Sequence, residues 1–526
     1  MKFKSHENIN EQDLQKGLKA VVNDGIMSHL MGVLTGGVFL VAIALQLGAS
    51  NFQIGLLAAI PPLMQLVQLP AIFLIEKVQS RKTVAIYSAT ISRVAFLMVA
   101  LSPLLFPPSI GLLILIVAVL FASVFGGIGG CAWSSWMRDL VPEKQMGIFF
   151  STRLRIATIL GIILSLLASL FIDYWKTSFP NSEIYAYSGL FASAFVIGMI
   201  GIIFLSKTPE PTMIPQEKSN VLELLTRPLK DKNFKRLMIS LGSWSFAVNL
   251  AAPFFTVYML TRLGMGMSII VALSILSQIF NFTFLVLWGK LADKFSNKSV
   301  LAISGPLFMF SILGWTFTTM PEKHFLTMPI LIILHIVMGI ATAGVAIASA
   351  NIGLKLAPKG SATAYLAANT LVNSFAAGIA PILGGLFADF FATSNLSLVF
   401  KWISPKEEFV FQTLNFQSWD FFFAFAFLIG LYALHRLSLV EEEGEVDDEI
   451  VRAEFMGIIT KPLRSLSSGA GLFQNISYPF IFVKRRARII RRRVKHNIRR
   501  ALRKKITKNK LPVSEQGSGS STEKNG

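Results

Sequence analysis

Twelve apolar runs of about 20 residues, each closed by a short polar or charged segment, follow one another along most of the chain. In the first half they cover about 26–47, 53–75, 84–103, 111–133, 148–172 and 186–206. In the second half they cover about 237–261, 267–288, 299–319, 327–350, 362–390 and 419–438. A helix of that length crosses the roughly 30 Å hydrocarbon core of a bilayer. Backbone groups cannot stay unpaired in lipid, so each run is expected to be a helix. The first run follows a polar segment and is too long for the apolar region of a cleaved signal peptide. The pattern therefore predicts an all-α membrane protein with twelve transmembrane helices.

Composition agrees. Of 526 residues, 53% are hydrophobic and 15% charged, against roughly 25% charged in a soluble domain. This excludes a disordered chain, a fibrous repeat and an ordinary cytosolic enzyme. Cys131 is the single cysteine, which excludes a disulfide framework and a cysteine-based metal site. The net charge of +20 resembles a nucleic-acid signal until it is located. Residues 484–510 hold 15 Lys/Arg and no acid, leaving the rest of the chain near +5. Loops after odd-numbered spans carry few bases: Lys176, Arg262, Lys323, Lys401 and Lys406. The segment 207–236 alone carries Lys207, Lys218, Arg227, Lys230, Lys232, Lys235 and Arg236. Bases accumulate on the cytoplasmic side, so both termini are expected in the cytoplasm and the protein in the plasma (inner) membrane.

The chain divides into a cytoplasmic N-terminal segment (1–25), a six-helix half (26–206), a Pro-bearing linker (207–236) and a second six-helix half (237–438). An acidic then mixed segment (439–483), a basic block (484–510) and a Gly/Ser-rich tail (511–526) follow. The halves align with an offset of 216: Pro142 with Pro358, Phe149 with Tyr365, and Leu170–Asp173 with Leu386–Asp389. Gln65 falls opposite Asn281. Such internal repeats mark transporters. Between spans 8 and 9, Gly289-Lys290-Leu291-Ala292-Asp293-Lys294-Phe295-Ser296-Asn297-Lys298 resembles the loop motif of the major facilitator superfamily, with Ser296 where the motif has its second glycine. The first-half copy, Leu74–Arg81, is degenerate but keeps an acid followed by bases. The resemblance extends over about 20–440. It implies two pseudo-symmetric halves around a cavity that opens to one side at a time, and gating roles for Gly289, Asp293, Lys294 and Glu76. Asp293 is expected to meet the start of span 5, and Glu76 the start of span 11 near Ser361, when the cavity faces outward. Neither the antiporter motif on span 5 nor the arginine motif usual on span 4 is present, so proton-drug antiport has no motif support.

Ionisable groups inside a span are costly and need a reason. Arg93 lies roughly 15 Å along span 3, near the midplane. It is either an anion anchor or a structural arginine bonded to carbonyls or to Gln65 and Gln68. Arg153 and Arg155 sit about two turns into span 5 and cannot share a face. Arg153 aligns with Asn369, which stacks with Asn373; that stripe either lines the cavity or the arginines reach the interface. Asn249, Gln278 and Asn281 are cavity-lining or interhelical amides. His29 and His335 are candidates for a coupling proton, or satisfied structural residues. No acid is expected at midplane depth, and Asp24, before Gly25, fits a helix cap.

No Ser/His/Asp grouping, metal-ligand spacing or phosphate-binding loop appears, so neither an enzyme nor a cofactor is expected. In the basic block, Ile490, Val494, Ile498, Leu502 and Ile506 form one apolar stripe, which suits a helix on an anionic membrane surface. Basic charge fits nucleic acid too, but no aromatic interleaves the block. The expected function is secondary transport of a small solute, with two unneutralised arginines favouring an organic anion or an anionic lipid head group. The alternative is a transporter-like scaffold whose tail recruits lipid, RNA or a protein partner.

Overall fold

A computed structural model describes residues 9–213, 221–319, 323–358, 362–404, 408–417 and 419–442. The segment beyond 442, including the basic block, lies outside the described residues, as does Ser361. Among the described residues, twelve helices are long and apolar enough to cross a membrane. Spans 1–6 are Glu11–Gln46, Asn51–Val78, Arg81–Leu105, Pro108–Leu140, Glu143–Ser178 and Pro180–Ser206. Spans 7–12 are Lys232–Thr261, Met267–Lys294, Asn297–Thr318, Thr327–Leu356, Ala364–Phe391 and Trp419–Ser438.

Span 1 departs from the expected pattern twice. Its helix starts at Glu11, where Asn10 accepts the Asp13 N–H at 2.7 Å and two acids occupy the first turn. Most of the polar N-terminal segment is thus helical, and Asp24 lies deep in the helix rather than capping it. The helix then breaks at Gly36, extended, and Gly37, whose φ of 52° is cheap only for glycine. Span 2 is also discontinuous. Pro61 and Pro62 remove backbone donors, and the helix tightens into a 3-10 turn over Gln65–Val67.

The repeat is visible in the helix ends. Span 2 runs Asn51–Val78 and span 8 runs Met267–Lys294, the same limits shifted by 216. Arg81 and Asn297 open spans 3 and 9; Leu140 and Leu356 close spans 4 and 10. The halves differ after span 11, where an antiparallel hairpin of β1 (Asn395–Ile403) and β2 (Glu408–Gln417) joins it to span 12. The linker holds a short helix, Val221–Lys230.

Each half is tied together by a buried glutamate just past its last span, which sequence reading missed. Glu210 accepts Ser80 Oγ at 2.8 Å and the Lys82 N–H at 3.1 Å, capping span 3. Beside it Arg81 pairs with Asp139 and donates to the Pro211 carbonyl. Glu442 repeats the device on span 9, accepting the Asn297 amide at 2.9 Å, the Lys298 N–H at 2.7 Å and Lys355 Nζ at 3.0 Å. Burial pushes the Glu442 carboxyl up, but the Lys298, Asn297 and Lys355 donors outweigh it and hold it below the usual range.

A candidate solute site between the halves

The two halves are pinned at the face opposite the N-terminus. Asp173, at the end of span 5, accepts the Met267 and Ser268 N–H groups at 2.8 Å each. Asp389, at the end of span 11, accepts Asn51 Nδ2 at 2.8 Å and the Phe52 N–H at 3.0 Å. The three positions of one set are related to the three of the other by the 216-residue offset. Each carboxylate therefore caps the N-terminus of a helix in the other half, where unpaired N–H groups concentrate positive potential. Gly55 and Gly385 let spans 2 and 11 close here, since a Cβ at either would collide with the opposing backbone. At the other face Asp293 and Glu76 are exposed, with no ion pair among the described residues. Lys294 lies over its neighbour Phe295, and Gly289 packs toward Ile347. The expected docking of Asp293 on span 5 is not made in this conformation.

Above the pinned face, spans 1, 5 and 8 enclose a cavity of about 220 Å³. Its wall includes His29, Thr158, Ser165, Ser274 and Gln278, and the Gly36–Gly37 break opens onto it. Two residues singled out from the sequence, His29 and Gln278, thus share one cavity. No hydrogen-bond partner for His29 occurs among the described residues.

The arginines separate. Arg93 is buried and its guanidinium is occupied: Nη1 donates to the Gly198 carbonyl at 2.5 Å, and Nη2 lies 2.9 Å from Ser28 Oγ and 3.4 Å from Asp24 Oδ1. The expectation of no acid at depth fails, because span 1 starts early and carries Asp24 inward. Gln65 and Gln68 are not the partners of Arg93; they bond to each other. Arg153 instead lies against Gly25 of span 1 and over the Trp133 ring, 4.8 Å from its centroid. Its Nε is buried without a hydrogen-bond partner, and it interacts with Asp24 only through space. Arg155, on the other side of the helix, is exposed.

The remaining candidates are dispersed. Asn249 donates to the Ser245 carbonyl one turn back at 2.8 Å, and Ser245 Oγ donates to the Asn373 carbonyl at 3.2 Å, joining spans 7 and 11. Asn373 Oδ1 and Asn369 Oδ1 are buried without partners. His335 is buried, bonded through Nδ1 to the Leu331 carbonyl at 2.8 Å and edge-on to Trp315.

A sequence model of the Major Facilitator Superfamily matches residues 25–381 and, in a second match, 273–483. The chain belongs to the major facilitator superfamily. No curated protein sequence matches it. Solved structures share the fold of this superfamily member. The nucleoside transporter NupG is 14% identical with a TM-score of 0.59, over 81% of this chain and 98% of that one. A bacterial homologue of the iron transporter ferroportin, in an inward-facing state, is 12% identical with a TM-score of 0.55, over 82% and 99%. A bacterial homologue of the human lysosomal transporter Spinster, inward-facing and unoccupied, gives 14% and 0.53 over 73% and 84%. At these identities the likeness is one of fold. With its twelve spans, the protein is a multi-pass membrane protein of a transporter family.

Proposed function

We propose that the protein moves a small organic anion across the plasma membrane by alternating access, with both termini in the cytoplasm. In that orientation the present conformation, pinned at the outer face by Asp173 and Asp389, opens inward. The observation that carries the charge preference is Arg153, a half-buried guanidinium with a buried, unpartnered Nε. Arg93, Asp24 and Arg153 together hold one net positive charge, and an anion arriving beside Arg153 would neutralise it. An arginine fork suits a carboxylate or phosphate in two-point geometry. His29 and Gln278 extend the site on spans 1 and 8. The unpartnered oxygens of Asn369 and Asn373, in the opposite half, would accept from hydroxyl or amine groups on the same solute. Arg93 serves this site by holding span 1 in place. His29, without a hydrogen-bond partner among the described residues, is the better candidate for a coupling proton than the satisfied His335.

The neighbours named above include a nucleoside transporter and homologues of an iron transporter and of a lysosomal transporter, so the fold leaves the solute open and the side chains must select it. A scaffold without transport would be expected to seal the halves with apolar side chains. The hydroxyls and amide of the 220 Å³ cavity, and the break in span 1, favour transport. The basic tail would rest on the anionic inner leaflet.

The test is a thermal-shift screen of the purified full chain against monocarboxylates, dicarboxylates, phosphate esters and organic cations, followed by uptake into proteoliposomes. The expected ligand is anionic. Arg153→Lys, which keeps charge but loses the fork, should weaken uptake at least about tenfold with little change in folding. A cationic ligand, or normal uptake by Arg153→Gln, would sink the proposal.

A further inference from the structure

On the face that carries the N-terminus, spans 1, 3 and 6 leave a second pocket of about 610 Å³, away from the contact between the halves. Lys16, Lys19 and Asn23 enter it from one face of span 1, at helical spacings that stack side chains. Lys82 enters from the start of span 3, and Lys207 and Thr208 from the end of span 6. The turn after span 6 explains this placement. Glu210 folds inward to cap span 3, Pro209 packs on Gly17, and Thr208 is carried into the pocket wall.

The pocket has an uncompensated positive charge. Lys82 is offset by Glu210, whose carboxylate accepts its backbone N–H. Lys16, Lys19 and Lys207 have no carboxylate partner among the described residues, and Asp13 offsets one of them. A second observation points to a missing ligand: Thr208 is wholly buried, yet its Oγ1 has no hydrogen-bond partner. A buried hydroxyl without a partner asks for an explanation. Three lysines around one hydroxyl donor match a compact anion with several acceptor oxygens, which is the chemistry of phosphate. The pocket lies at the ends of the spans, the depth of lipid head groups, where basic pockets between helices hold such groups.

We propose that this pocket binds a phosphate-bearing anion, supplied either by an anionic glycerophospholipid or by a soluble phosphate ester. The bound group bridges the N-terminal turns of span 1 to spans 3 and 6. It is separate from the solute site, because Arg153, His29 and Gln278 line none of it.

The test uses delipidated full-length protein and native mass spectrometry, with phosphatidylglycerol, phosphatidylcholine and glycerol 3-phosphate as probes. Phosphatidylglycerol should be retained at least about tenfold better than phosphatidylcholine, since each lysine near an anionic surface is worth roughly a factor of five. The variant Lys16→Gln/Lys19→Gln/Lys207→Gln should lose that preference. A charge-matched tail variant, Lys504→Gln/Lys505→Gln/Lys508→Gln, should keep it, which separates the pocket from the basic block. Thr208→Val should weaken retention without changing the overall charge. Displacement of the lipid by glycerol 3-phosphate assigns the pocket to soluble esters, and resistance to displacement assigns it to lipid. Equal retention of the two lipids, or equal loss in the lysine and tail variants, overturns the proposal.

Discussion

Replacing Asp173 with Asn removes a charge while keeping the shape and one acceptor oxygen. In this conformation Asp173 accepts two backbone N–H groups at 2.8 Å, both at the start of span 8. Hydrogen bonds to a charged acceptor contribute roughly 1.5–3 kcal/mol each, against about 1 kcal/mol when both partners are neutral. The charge gains up to about 1 kcal/mol more from the helix terminus. Two charged bonds at the low end of that range contribute about 3 kcal/mol against about 1 kcal/mol for the one neutral bond that Asn keeps, and the open state solvates either side chain, so the pinned face should lose about 2 kcal/mol. That is close to a thirtyfold shift in the ratio of protein closed at this face to protein open there. Asp389 makes the equivalent contacts but is exposed, so screening should reduce its share to about threefold. The double variant should shift the ratio about a hundredfold if the two sites act independently. Spin labels at Ser178 and Thr261, in a Cys131→Ser background, report the distance between the ends of spans 5 and 7 on that face. The longer-distance population should grow in the order Asp389→Asn, Asp173→Asn, double variant. An unchanged distance distribution in the double variant would refute the view that these carboxylates hold the face shut.

Three other outcomes are expected. Glu442 sits below the usual glutamate value of 4.5 in the folded protein, so the stability it contributes is complete above that value and disappears as pH falls through its lowered one; Glu442→Gln should flatten this part of the acid limb of the melting temperature against pH, and an unaltered limb would count against the cap. Asp24→Asn strands Arg93 in the interior and should cost about 3 kcal/mol, whereas Asp24→Ser/Arg93→Met, which copies Ser240 and Met309 from the other half, should recover most of it by thermal melting with uptake retained. In a Cys131-free protein, an impermeant thiol reagent should label Asn395→Cys in intact cells and leave Ser219→Cys unlabelled until the membrane is permeabilised; the reverse pattern inverts the orientation.

The twelve spans and the repeat were legible because lipid imposes one rule on every segment: an apolar stretch long enough to cross, with bases on one side. The 216-residue offset, found in Pro142–Asp173, reappears in the ends of spans 2 and 8. What sequence could not supply was pairing across the fold. Asp24 reads as a cap because the apolar run starts at 26, yet Asn10 starts the helix earlier and places Asp24 beside Arg93. Glu210 and Glu442 lie just past span ends among other charges, and nothing in their neighbours announces that they turn inward. The repeated Leu-Phe-x-Asp run was the available signal for Asp173 and Asp389. It marked equivalence, but the partner helix ends became visible only in three dimensions. The hairpin after span 11 was missed because its alternating pattern is short and lies between two apolar runs.

Where the halves agree and where they differ divides the molecule by task. The carboxylates that pin the face opposite the N-terminus, the helix ends they cap and the buried glutamates after spans 6 and 12 recur in both halves. Alternating access requires two similar bodies to pivot on similar contacts, so mechanical parts gain from being repeated. The polar residues nearer the centre do not recur. Arg93 and Asp24 answer to Met309 and Ser240, and Arg153 answers to Asn369. Trp133 answers to Ser349. Four of these groups share a property: Arg153 Nε and Trp133 Nε1 in one half, and Asn369 Oδ1 and Ser349 Oγ in the other, are all buried without partners. Each such atom costs about 1–3 kcal/mol if nothing ever satisfies it. Their occurrence at equivalent positions on spans 4, 5, 10 and 11 is hard to assign to independent packing defects. The first half offers only donors there, and the second offers an amide oxygen and a hydroxyl. A solute with an anionic end and a donor-bearing end would meet both sets in one orientation, so the asymmetry that costs stability in the empty protein is what would set the direction in which the solute binds.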